Sequence, residues 1–209
     1  MWSSHNGSDN ADAARVGAPS WRLFLAVVLS DSIRTALAEA IAELRTLAPF
    51  ASPAGLEAIH LTLHFLGQVE SGRVSEIADG LKQAIAPFAA FELLASGVGA
   101  FPTPARPRVL WAGVAGPGHA GLVAIHEATT SPLRSAGIAL EDRPYAPHLT
   151  LGRVRRELRA SERGRLEEWI HRWQAFEFGA LMVDAIHLMR SDLSARPPRY
   201  TTLETFALQ

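Results

Sequence analysis

The chain has 209 residues, 48% hydrophobic and 20% charged, which describes one sizeable globular domain or two small lobes and not a disordered segment. A formal net charge of −1 gives no overall basic field of the sort that marks a general nucleic-acid binder. There is no cysteine, which excludes disulfides, thiolate nucleophiles and cysteine-ligated metal centres.

The N-terminal "MWSSHNGSDNADAARVGAPS" lacks the apolar centre of a signal peptide, and no later run is apolar for long enough to span a bilayer. The expectation is a polar tail over residues 1–20, then a single bilobal domain over 21–209, cytoplasmic and monomeric. "WRLFLAVVL" (21–29) reads as a buried strand. Ser30 can then cap a helix in which Ile33, Leu37, Ile41, Leu44 and Leu47 recur at helical spacing. "HLTLHFLG" follows with period-2 alternation, and Val74, Ile77, Leu81 and Ile85 mark a second helix stopped near Pro87. "FELLASGVGAF" and "PRVLWAGVA" are strands around the turn-rich "PTPARP". A helix over about 120–135 precedes "HLTLGRV", and another carries Leu166, Trp169, Ile170 and Trp173. "LMVDAIHLMR" and "YTTLETFAL" are read as closing strands joined by "SDLSARPPR". Each half of the chain holds helices, strands and one His-Leu-Thr-Leu, which predicts an α+β fold of two similar lobes with antiparallel sheets.

That doubled tetrapeptide, at His60 and His148, carries the chemistry. Alternation along a strand puts His60, Thr62 and His64 on one face and Leu61, Leu63 and Phe65 on the other. His148 and Thr150 likewise point together. Each segment offers an imidazole and a hydroxyl roughly 6–7 Å apart at Cα. Two histidines about one reacting centre suit acid–base work near neutral pH, one accepting a proton and the other donating it. Two threonine hydroxyls can hold the oxygens of a phosphate ester as negative charge builds. His60 and His64 are roughly 13 Å apart on an extended strand, too far to share one metal, and no third ligand stands near His60 and His148. No metal and no cofactor are expected.

"GPGHAG" offers a rival. Gly116, Gly118 and Gly121 match G-x-G-x-x-G after a strand and before a helix, with Glu141 farther on, the layout of a dinucleotide-binding unit and so of an oxidoreductase. The motif sits mid-chain without further strand–helix–strand alternation, and a Gly/Pro loop accounts for the glycines by turn chemistry alone.

The segments "RLFLAV", "HLTLHFLG", "GAFPTPARPRVLW" and "RPYAPHLTLGR" together resemble the RNA 2′,3′-cyclic phosphodiesterases of the 2H phosphoesterase superfamily, also called 2′-5′ RNA ligase-like, over roughly residues 21–206. The resemblance implies a bilobal fold with both motifs lining a central cleft, no metal, and hydrolysis of RNA 2′,3′-cyclic phosphate ends to 2′-phosphate ends. It implies His60 as proton donor to the leaving 3′ oxygen, His148 as the acceptor that activates water, and Thr62 and Thr150 as phosphate holders. Arg108, Arg143 and Arg153 flank the segments and are candidates either for RNA phosphates or for salt bridges on a solvated surface. Tyr145 and Trp111 are candidates either for stacking a terminal base or simply for packing. The alternatives are 2′-5′ ligation, RNA-end binding with slow chemistry, and the oxidoreductase above. His64, and the missing tryptophan ahead of the first motif, depart from the family's usual pattern.

Overall fold

A computed structural model describes residues 18–195 and 198–209. Most of the expected tail, and residues 196 and 197 of "SDLSARPPR", lie outside them. The last two tail residues, Pro19 and Ser20, belong to the fold. The Pro19 carbonyl accepts from the Ser71 N–H at 2.8 Å, and Ser20 opens the first strand opposite Glu70.

Strand β1 (Ser20–Val28) leads into helix α1 (Asp31–Leu47), whose first turn is capped by the Ser30 hydroxyl accepting from the Ile33 N–H at 3.5 Å. The predicted stripe of Ile33, Leu37, Ile41 and Leu44 is buried. A three-residue strand, β2 (Ala51–Pro53), was not legible in the sequence and ends at its proline. Then come β3 (His60–Glu70), α2 (Val74–Ile85), β4 (Phe91–Thr103), β5 (Arg106–Ala115) and α3 (His119–Ser135). The chain closes with β6 (His148–Val154), α4 (Ala160–Trp173), β7 (Glu177–Val183), β8 (Ala185–Asp192) and β9 (Arg199–Ala207). "LMVDAIHLMR" is therefore two strands. They part at Asp184, a poor strand residue whose carbonyl instead accepts from the Leu208 N–H at 2.8 Å.

All strands join one antiparallel sheet in the order β7-β4-β5-β6-β3-β1-β8-β9, with β2 beside β6. The sheet has two halves that meet where β3 lies beside β6. Helices α2 and α3 pack together under the β3-β1-β8-β9 half. Helices α1 and α4 pack together under the other half, tied by the Trp169 indole donating to the Ala40 carbonyl at 2.9 Å. The two expected lobes exist, but neither is a half of the sequence. Helix α1 follows β1 yet serves the far half, and α3 follows β5 yet serves the near one.

The helices cover one face. Beneath it lie Leu23, Leu25 and Val27 of β1, Leu61 and Leu63 of β3, and Leu149 and Leu151 of β6, against Leu37, Leu81 and Ile125 of the helices. Full burial of each such side chain is worth roughly 1.5–3 kcal/mol relative to exposure. The opposite, open face carries a small cluster of Phe24, Ala26 and Met189.

The glycine motif has a packing role. Strand β6 runs antiparallel beside β5, so there is no parallel strand–helix–strand unit. A Cβ at Gly118 would sit 2.4 Å from the Glu92 carbonyl oxygen, and Gly116 has φ +94°. These glycines let the start of α3 close against β4.

Candidate active site

Both motif strands share a defect that sets the site. Along β3, His60, Leu61 and Thr62 pair with Val28, Val27 and Ala26, and then His64 pairs with Leu25, so Leu63 is skipped. Along β6, His148, Leu149 and Thr150 pair with Gly113, Ala112 and Trp111, and then Gly152 pairs with Leu110, so Leu151 is skipped. A one-residue bulge falls at the second leucine of each HLTL and inverts the side chains that follow, to the end of β6 and, in β3, as far as a second register shift at Leu66. The expectation that His64 shares a face with His60 is therefore corrected. His64 turns toward the helices and is 6% exposed, while Phe65 comes to the open face at 47%. The matching inversion in β6 exposes Arg153, which simple alternation would set opposite His148. Sequence reasoning missed Phe65. The signal was available, because apolar positions 61, 63 and 66, like 149, 151 and 154, step by two and then by three.

Leu61 pairs with Leu149 where the two halves meet. Continuing that register by one residue in each direction sets His60 across from Thr150 and Thr62 across from His148, all on the open face. Each histidine thus has a threonine from the other motif as its neighbour. Cross-strand partners of this kind stand about 4.5–5.5 Å apart at Cβ.

The His148 Nδ1 lies 2.8 Å from the Ala146 carbonyl oxygen. A carbonyl only accepts, so Nδ1 carries the proton and Nε2 keeps its lone pair. His60 has the equivalent partner in the Ala58 carbonyl, two residues back. Aromatic rings pack on both imidazoles. Phe24 lies 4.5 Å from His60 and Tyr200 meets it edge-on at 5.4 Å, while Phe101 stands edge-on to His148 at 5.1 Å. Burial pushes His60 down to about 4, with nearby His148 adding to the effect. Burial also lowers His148, helped by the Arg153 cation. Without an anion between them, both rings are neutral at pH 7.

The other candidates divide. Arg153 stands on the face of His148, and Val109, one residue past Arg108, pairs with it. Arg108 is exposed at a further bulge on the rim. Arg143 is an exposed loop residue bonded to Glu141 at 2.6 Å. Tyr145 is not set for base stacking on the open face. Its ring packs toward the helix-side core, 4.1 Å from the parallel His126 ring, and its hydroxyl donates to the Thr62 carbonyl at 3.1 Å. Trp111 lies across Gly99, where a Cβ would come within 2.3 Å of the indole. Among the described residues, no group of three or more His, Asp or Glu side chains is gathered to hold a metal, and no helix is long and apolar enough to cross a membrane.

A curled antiparallel sheet with two His-x-Thr strands meeting at its centre is the architecture of the 2H phosphoesterases. The chain belongs to the LigT-like phosphoesterase family, whose model matches residues 27–111 and 114–199. It is 32% identical over 196 residues to the RNA 2′,3′-cyclic phosphodiesterase of Methanothermobacter thermautotrophicus, covering 90% of this chain and 98% of that one. It is 31% identical to the enzyme of the same name from Archaeoglobus fulgidus, covering 88% and 99%. Among solved structures, a Thermus thermophilus protein superposes with a TM-score of 0.73 at 28% identity, over 90% of this chain and 97% of that one. Escherichia coli LigT complexed with 3′-AMP does so with a TM-score of 0.69 at 27% identity, over 91% and 99%.

Proposed function

We propose that this protein hydrolyses RNA 2′,3′-cyclic phosphate ends to 2′-phosphate ends, as a cytoplasmic enzyme whose single chain supplies both histidines. The observation that carries the reading is the Leu61–Leu149 pair, whose register brings the two His-x-Thr motifs side by side, in a chain matched along nearly its whole length by phosphodiesterases of that name.

In this mechanism the cyclic phosphate lies over the Leu61–Leu149 pair, its free oxygens accepting from Thr62 and Thr150. The His148 Nε2 takes a proton from water as the water oxygen bonds to phosphorus. The bond from phosphorus to the 3′ oxygen breaks, and the His60 Nε2–H protonates that oxygen. The histidines end with exchanged protons and reset through solvent. Burial depresses His60 to about 4, so its protonated form is a strong acid toward the leaving 3′ oxygen, and the His148 Nδ1–H held on the Ala146 carbonyl leaves Nε2 free to act as the base. The substrate's negative charge supplies what the empty site lacks, a reason for one imidazole to hold a proton. Phe65 stacks the terminal base and Arg153 meets a phosphate oxygen.

The test is hydrolysis of a short RNA ending in 2′,3′-cyclic phosphate, with chelator present and the product isomer identified. A 2′-phosphate product is expected; no turnover sinks the reading. Because both free imidazoles titrate below 6.5, kcat/KM is expected to peak on the acid side of that value. It should then fall by close to tenfold per pH unit toward pH 8, as the protonated acid is lost. A flat kcat/KM between pH 6 and 8 contradicts the two-histidine scheme. Phe65→Ala is expected to raise KM about tenfold with kcat little changed, the size of one base–aromatic stack. Steady-state kinetics on a nucleoside 2′,3′-cyclic phosphate read this directly, and an unchanged KM removes Phe65 from the site.

A further inference from the structure

The two motif strands share the one ladder pair Leu61–Leu149 among the described residues, so little backbone bonding fixes one half-site against the other. A second link runs behind the site. The Tyr145 hydroxyl donates to the Thr62 carbonyl at 3.1 Å. Its ring stacks on His126 at 4.1 Å and 5°, and His126 stacks on His64 at 4.2 Å and 18°. The His64 Nε2 in turn lies 3.0 Å from the His126 carbonyl and 3.1 Å from the Thr129 hydroxyl.

The ends of this stack are informative. Tyr145 lies three residues ahead of His148, on the segment that delivers the second motif. His64 lies two residues past Thr62, on the first motif strand, and is turned inward by the bulge. The chain of contacts therefore closes on itself: Thr62, His64, His126, Tyr145, and back to Thr62. It touches neither open-face imidazole, yet both motifs are anchored to it.

We propose that Tyr145 is a positioning residue for the phosphodiesterase reaction, holding the first motif's threonine in register with the second motif's histidine through its hydrogen bond to the Thr62 backbone. The inference rests on the functional reading above. It gives Tyr145 a task that the substrate never meets. The Thr62 hydroxyl, and the cross-strand pairing of Thr62 with His148, depend on where the β3 backbone sits relative to β6. A displacement of a fraction of an ångström there separates the phosphate-holding group from the base, and catalysis is far more sensitive to such misplacement than binding is.

Tyr145→Phe removes the hydroxyl and keeps the stack. The expected result is a fall in kcat of about tenfold on RNA 2′,3′-cyclic phosphate, with KM, affinity for a nucleoside 2′-monophosphate and thermal melting close to wild type. Wild-type kcat in the variant overturns the proposal. So does a parallel loss of turnover, product affinity and melting temperature, which would mark the hydroxyl as only structural. Tyr145→Leu lacks the hydroxyl and the stack alike and is expected to lower kcat at least as far as Tyr145→Phe; a Tyr145→Leu kcat nearer to wild type than that of Tyr145→Phe contradicts the proposal. Proton NMR of the His60 and His148 ring resonances separates failure of this inference from failure of the functional reading. If wild type turns over no cyclic phosphate, both resonances must still move in Tyr145→Phe relative to wild type, and unmoved resonances overturn the positioning role on their own.

Discussion

His60→Ala and His148→Ala are each expected to lower kcat by about 10²–10⁴ on an RNA 2′,3′-cyclic phosphate end, with RNA affinity within a few fold of wild type. Each variant removes one proton transfer and leaves both threonines, Phe65 and Arg153 in place. The double variant is expected to be little slower than the worse single one, because an acid and a base that act on one transition state contribute as a unit. Thr62→Val and Thr150→Val remove hydrogen-bond donors aimed at developing charge, where one donor is worth roughly 10²–10³. Single-turnover rates and equilibrium binding to a 2′-phosphate-terminated RNA decide the matter. If either histidine variant keeps wild-type kcat, that imidazole is not in the reaction. If binding collapses along with turnover in both, the site is a recognition pocket and the protein an RNA-end binder.

The elements of this site were legible in the sequence to different degrees, for physical reasons. The doubled HLTL was visible because a histidine and a threonine two residues apart on a strand must share a face. The helix stripes of α1, α2 and α4 were visible because burial demands them. The bulges at Leu63 and Leu151 were missed because strict alternation was assumed past each motif. That assumption put His64 on the wrong face and left Phe65 in the core. It would have turned Arg153 away from His148 too, and Arg153 was named only for its closeness in sequence to the motif. Tyr145 was open to stacking or packing, as an aromatic just ahead of the second motif. Its neighbours His126 and Thr62 come from α3 and β3, far away in sequence, so no local pattern could reveal them. The exchange of α1 and α3 between the halves is invisible for the same reason. An amphipathic helix declares that it needs a partner face, not which face will be given to it.

The inward-turned His64 also gives the fold a defined weakness in acid. Its Nε2–H is spent on the His126 carbonyl and the Thr129 hydroxyl, and protonating Nδ1 would bury a charge beside His126 and within reach of the Arg134 cation. Burial, the largest cause, holds His64 down at about 4, against 6.5 for an ordinary histidine. Above pH 6.5 neither the folded nor the unfolded chain protonates this ring, and its contribution to stability is complete. Between 6.5 and 4 the unfolded chain takes up a proton that the folded chain refuses, so stability falls as the pH falls. At pH 4.5 the loss from this one group is on the order of 2.5 kcal/mol, a large part of the 5–15 kcal/mol typical of a folded domain. His60 pulls in the same direction. His64→Phe keeps a ring against His126 and strands no polar group, since the His126 carbonyl still accepts from Thr130 and the Thr129 hydroxyl still donates to the Ile125 carbonyl. Urea unfolding at pH 7.5 and 4.5 is expected to show a loss of stability in wild type that His64→Phe reduces by about 2–3 kcal/mol. If wild type and His64→Phe lose the same amount, His64 titrates alike in folded and unfolded chains, and the acid weakness belongs to the open face instead.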